Sequence, residues 1–158
     1  FVLMNLDGVE TLEGKKLELP DQWILTRYNE CAAKVTEHFD DAEFGMAAQK
    51  IYDFAWNEFC DWYIELSKGR LMGEDEEQKN NVRGVLIYVL EAILKLTNQN
   101  VRDHVMMTRA NPRCEAMHPE LMALYDQALE RYPLMLQQLN AHIETGEPLG
   151  ELFEATFG

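Results

Sequence analysis

Residues 44–68 read FGMAAQKIYDFAWNEFCDWYIELSK, and the fold turns on how they are read. Apolar side chains recur at Phe44, Ala48, Ile51, Ala55, Phe59, Trp62 and Leu66, at steps of three and four. That is the period of one helix face, and it is the strongest periodic signal in the chain. Tyr52, Trp56 and Tyr63 widen the apolar side. Asp53, Asn57, Asp61 and Glu65 follow at steps of four and form a polar ladder on another side. The spacing predicts one helix from about Glu43 to Lys68, the most buried element of the fold, with Trp62 in the core. So much aromatic mass beside so much charge has two readings. The rings are a wide buried face with the acids turned away, or they form a surface that grips a partner.

Working outward, the preceding helix should start near Pro20, since proline suits the first helical turn. Its stripe is Ile24, Tyr28, Cys31, Val35 and His38/Phe39, and Asp40-Asp41 mark its exit. Residues 1–18 read as an irregular lead-in, with turn signals at Asp7-Gly8 and Gly14. After the central helix, KGRLMGEDEEQKNN (68–81) reads as a surface loop. Its acids fall near the next helix N-terminus, where the dipole favours them. A third helix carries Val82, Val85/Leu86, Val89, Ile93 and Leu96 and extends to about Arg109, with Asn111-Pro112 as its stop. His118-Pro119 opens a fourth, with Leu121, Leu124/Tyr125, Ala128/Leu129 and Tyr132 on one side. Pro133 lacks an N–H and should kink or break it. Helical spacing resumes over residues 134–144 up to Gly146, and residues 147–158 read as a short terminal helix. No strand pair is evident. The expected class is all-α, an antiparallel helical bundle. The expected division is a lead-in linker (1–19), a bundle (20–110) and an additional helical segment (111–158).

A chain of 158 residues with 47% hydrophobic content can bury a sizeable core. The net charge of −14 argues against non-specific nucleic-acid binding, which needs a basic footprint to displace counterions. It leaves room for a local basic patch. No apolar run reaches the ~18 residues a membrane span requires; Val85 to Leu96 is interrupted by Glu91 and Lys95. There is no signal-peptide pattern, and the start at Phe1 points to a piece of a longer chain. Cys31, Cys60 and Cys114 form neither an even disulfide framework nor a CxxC pair, so free thiols in a reducing compartment are expected. His104, Cys114 and His118 match no common zinc spacing, so no metal site is expected. The paired carboxylates Asp40/Asp41 and Asp61/Glu65 are most simply a solvated face.

Three stretches in order, LPDQWILTRYNE (19–30), residues 44–68 and YVLEAILKL (88–96), resemble the helical anticodon-binding domain of the valyl-tRNA synthetases, class I aminoacyl-tRNA synthetases. The lead-in FVLMNLDGV resembles the linker that leaves the catalytic domain in that family. The resemblance covers residues 1–96. It fails after Leu96, where TNQNVRDHVMMTRANPRC departs from the family pattern and opens a divergent end, a fusion or a chimera. It implies a bundle of the class I synthetase anticodon-binding type. It further implies a tRNA partner with valine acceptor identity, a cytoplasmic setting and no membrane association. The class I His-Ile-Gly-His and Lys-Met-Ser-Lys-Ser signatures are absent from the sequence, as is a GxxxxGK[ST] loop. So no catalysis and no cofactor are expected of this chain alone; the parent enzyme of the resemblance uses ATP and magnesium. The competing reading is a helical protein-interaction bundle without an RNA role.

RNA loops are read by bases stacked on aromatic or guanidinium planes and hydrogen-bonded at their edges. On that logic the candidates are Arg27 and Asn29 on the first helix, and Phe44, Lys50 and Asn57 on the second. Arg27 either contacts the anticodon stem-loop or forms a salt bridge to an acid of the second helix. Lys50 and Asn57, two turns apart, should share one strip, either offered to a nucleotide or simply solvated. Phe44 is a stacking ring or part of the core stripe. Lys68 and Arg70 sit where the helix dipole already favours cations, with phosphate binding as the alternative.

Overall fold

The computed structural model describes residues 1–2, 16–110 and 119–145. Helix α1 spans Leu19–Asp40. Pro20 lies in its first turn, and the backbone N–H of Glu18 donates to the Asp21 carboxylate at 2.9 Å. At its far end Ala42 takes a left-handed φ of 58°. The Glu43 N–H reaches back to the His38 carbonyl (2.7 Å) and the Ala42 N–H to that of Phe39 (3.0 Å). This is the Schellman arrangement, which satisfies carbonyls that the helix end leaves open.

The central element is one rod made of three pieces: α2 (Phe44–Asp53), a π-helix π1 (Phe54–Ile64) and α3 (Glu65–Leu71). π-Helices are uncommon and mostly single turns, whereas this one runs 11 residues. Its i→i+5 bonding widens each turn by roughly one residue, and that resets which side chains face inward. Ala47, Ile51 and Phe54 are buried at α-helical steps; the next buried residue is Phe59, five positions on, followed by Tyr63 and Ser67. The expected stripe is corrected accordingly. Ala48 and Leu66 face solvent, Ala55 is half-buried, and Trp62 is 62% exposed, while Tyr63 beside it is fully buried.

The loop expected over residues 68–81 is shorter than its composition implied. The rod continues to Leu71, and α4 already begins at Glu76 (Glu76–Arg109). Asp75 caps it, accepting the Gln78 N–H at 3.1 Å, and Glu76 and Glu77 occupy the first turn. Val82, Val85, Leu86 and Val89 are fully buried in the core. Helix α5 spans Pro119–Thr145 and passes through Pro133 without being divided, so of the expected kink or break the break does not occur. It packs on α4 and adds Met135 and Leu139 to the common core. Gly8, Gly14, Asn111-Pro112, Cys114, His118, Gly146 and residues 147–158 lie outside the described residues.

Side-chain pairings give the strand-free topology its direction. Along α1, Asp21, Arg27 and Cys31 meet Arg70, Glu58 and Lys50 in turn, so the rod runs antiparallel to α1. Gln78 meets Glu18 and Tyr88 meets Tyr28, so α4 runs alongside α1 and antiparallel to the rod. Asn100 closes the far end by donating to the Phe44 carbonyl at 2.9 Å. The protein is an all-α bundle, and no described helix is long and apolar enough to cross a membrane.

Candidate nucleic-acid interface

Between α1 and the rod lies an open groove with a volume of about 420 Å³. Arg27, Glu30, Lys34, Lys50, Asp53 and Glu58 supply its charged lining, with Cys31 and Phe54 at its floor. Arg27 projects from α1 and is held by a two-pronged ion pair: Nε to Glu58 Oε2 at 2.6 Å and Nη2 to Glu58 Oε1 at 2.7 Å. Its Nη1 donates to Glu30, one turn along α1. Hydrogen bonding to Glu58 outweighs the cost of desolvation and raises the Arg27 pKa above its already high value. Paired carboxylate geometry of this kind fixes the guanidinium plane as well as its charge.

Of the two readings of Arg27, the structure thus contains the ion pair to the second helix. The Arg27 side chain is still 42% exposed, so the ion pair does not bury it. Lys50 lines the same groove. Lys34 does too, two turns after Arg27, and pairs with Glu37 at 2.7 Å. Sequence reading missed Lys34 although its seven-residue spacing from Arg27 puts both on one side of α1. Burial pushes the Cys31 thiol up to about 11, with the Glu58 carboxylate adding to it. Cys60 is likewise raised, chiefly by burial. Neither thiol is activated as a nucleophile. Among the described residues, no three His, Cys, Asp or Glu side chains gather to hold a metal ion.

The other candidates lie apart from the groove. Asn29 is exposed but outside its lining. The strip expected to carry both Lys50 and Asn57 is divided: the wider turns of π1 intervene, Lys50 lines the groove, and Asn57 is exposed outside it. Phe44 is half-buried and stacks on His104, with ring centroids 5.7 Å apart and 12° between planes. It also leans on Phe39 at 6.2 Å.

Arg70 is a structural residue. It clasps the fully buried Asp21 through Nη1 at 2.7 Å and Nη2 at 2.8 Å. The Tyr63 hydroxyl donates to the same carboxylate at 2.7 Å. Burial alone would raise the Asp21 pKa; the bonds from Arg70, Tyr63 and the Glu18 N–H overcome it and hold the group below its ordinary value. The sequence offers Arg70 as a cation favoured by the helix end or as a phosphate contact; the structure engages it with Asp21 instead.

A family model for the anticodon-binding domain of tRNA ligases matches residues 21–98, the stretch that builds α1, the rod and the first two-thirds of α4. Over residues 21–98 the chain is similar to this anticodon-binding domain family. The chain is 48% identical over 100 residues to a valine–tRNA ligase of Enterococcus faecalis and 51% identical over 100 residues to one of Staphylococcus epidermidis. Against the enzyme of Clostridium tetani it is 50% identical over 99 residues. Each match covers 61% of this chain and 11% of the relative, so the chain spans about a ninth of their length. No solved structure matches. The anticodon-binding domain contains the whole groove, from Arg27 to Glu58.

Proposed function

We propose that this chain is the tRNA-binding segment of a valine–tRNA ligase and positions the anticodon stem-loop for chemistry done elsewhere. The observation that carries the reading is the family match over residues 21–98, joined to near-50% identity with valine–tRNA ligases. The groove between α1 and the rod is the place where the chemistry fits. Arg27, pinned by Glu58, offers a flat guanidinium on which an unstacked base can lie. Lys50 across the groove supplies a charge for a neighbouring phosphate. The exposed Glu30 is the partner that a base edge or phosphate would displace; Glu58 would keep the plane in place.

The lining holds Arg27, Lys34 and Lys50 against Glu30, Asp53 and Glu58. Contact with phosphate is therefore weak and salt-sensitive, and the base contacts carry discrimination. ATP and magnesium belong to the adenylate-forming part of such an enzyme. The 158-residue chain, without class I signatures, gives no valine-dependent exchange of pyrophosphate into ATP. Clear exchange by the purified chain overturns that claim.

The binding test is a titration of the valine anticodon stem-loop at low salt against wild type, Lys50→Glu and Arg27→Glu. Both substitutions weaken binding, and Arg27→Glu also loses stability because it sets an acid against Glu58 and Glu30. Lys50→Glu separates the two effects, since Lys50 is exposed and leaves the Arg27 clasp intact. Unchanged binding in both variants removes the groove from the account.

A further inference from the structure

The side of the rod that faces away from the core carries an aromatic surface. Tyr52, Trp56 and Trp62 are 59%, 57% and 62% exposed, and Leu66 is 49% exposed. Tyr52 and Trp56 lie plane to plane, with centroids 6.3 Å apart and 6° between rings. The π-helix turns Trp62 outward through the five-residue step from Phe54 to Phe59, while Trp56, two positions after the buried Phe54, faces away from the core at either pitch. Large exposed aromatics gathered on one element mark an interaction surface. They are hot-spot side chains when a partner covers them.

Charge decides what can cover it. Asn57, Asp61 and Glu65 are exposed along the same outward side, between the Tyr52–Trp56 pair and the Trp62–Leu66 pair. Glu65 pairs with Lys68 at the edge, whereas Asp61 has no ion pair among the described residues. Ring faces and carboxylates both repel phosphate, and both attract a guanidinium. The net charge of −14 extends that preference over long range and opposes self-association through this face. The RNA groove lies elsewhere, on the α1 side of the rod.

We propose that the outward face of the rod docks a basic, arginine-bearing segment of a separate protein, with guanidinium groups stacked on Trp56 and Trp62 and paired with Asp61. A planar guanidinium both stacks and forks its hydrogen bonds, so arginine is favoured over lysine here. The test is fluorescence anisotropy of a labelled oligo-arginine peptide titrated with the full chain at low salt. Oligo-lysine of equal length serves as the comparison. Trp56→Ala, Trp62→Ala and Asp61→Asn are tested beside Glu120→Gln, which removes an exposed acid on α5. Circular dichroism checks that each variant folds.

Each of the three face variants should weaken oligo-arginine by about fivefold, while Glu120→Gln changes it little. Oligo-lysine should bind more weakly to wild type. The proposal is overturned if the face variants behave like Glu120→Gln, or if arginine and lysine peptides bind alike. It is also overturned if the anticodon stem-loop displaces the peptide, which would give the face to RNA. Self-association that disappears in Trp62→Ala would give it to a second copy and overturn it as well.

Discussion

Trp62 and Tyr63 are neighbours in sequence and opposites in environment. Tyr63 is fully buried, stacked on Phe59 with centroids 6.2 Å apart and bonded to Asp21. Trp62→Ala should therefore cost less than about 1 kcal/mol, as a surface change does. Phe59→Ala should cost about 3–5 kcal/mol, as a cavity in a packed core does. Urea melts of the two variants check this; equal losses would show that the inward face has been assigned wrongly. Asp21 is the second residue with large leverage. Asp21→Asn removes the main partner of the Arg70 guanidinium, leaving Glu18 at 3.4 Å, and should cost about 3 kcal/mol. Because the folded pKa of Asp21 is depressed, its contribution is fully present above the unfolded value of about 3.9 and is lost as pH falls through the folded value. Wild type should accordingly lose stability more steeply than Asp21→Asn below about pH 4. Parallel acid limbs in the two stability–pH curves would contradict the clasp.

The elements were legible from the sequence where a cap or a breaker marks them. Pro20 announced α1, the acids ahead of Val82 announced α4, and the exit of α1 fell where Asp40-Asp41 placed it. The register of the rod beyond Phe54 was not legible. A stripe at steps of three and four presumes about 3.6 residues per turn, and nothing in the spacing encodes i→i+5 bonding. That one change of pitch moved Trp62 and Leu66 outside and brought Tyr63 and Ser67 in. It also separated Asn57 from Lys50, so the candidate site was read only in part. The acid that Arg27 would find on the second helix was one of two readings, but its identity as Glu58 depends on how two helices align. Pro133, expected to kink or break its helix, does not break it; α5 runs on through it. The turn after α1 yields a prediction of its own. Ala42 sits at a left-handed φ, where an L side chain is strained and glycine is not. Ala42→Gly should stabilise the protein by about 0.5–1 kcal/mol, the relief of strain exceeding the added unfolded-state entropy. A lower melting temperature for that variant would contradict the Schellman turn.

At the scale of the molecule, an acidic bundle carries two surfaces of different chemistry. One is a groove lined by three cations and three acids, one of the cations being the Arg27 guanidinium held by Glu58. The other is an outward aromatic face with Asp61, which has no ion pair among the described residues. With a charge of −14, any RNA in the proposed groove would be held against repulsion, so phosphate contacts would add little affinity and selectivity would come from bases. The proposed function requires that residues 21–98 read the valine anticodon loop. Its most direct test is a competition at low salt between the valine anticodon stem-loop and the same stem-loop with its anticodon bases permuted. Both carry the same phosphates, so non-specific attraction cancels. The account predicts that the native loop wins the competition and that the advantage disappears in Arg27→Glu. Equal binding of both loops to the wild-type chain would contradict it.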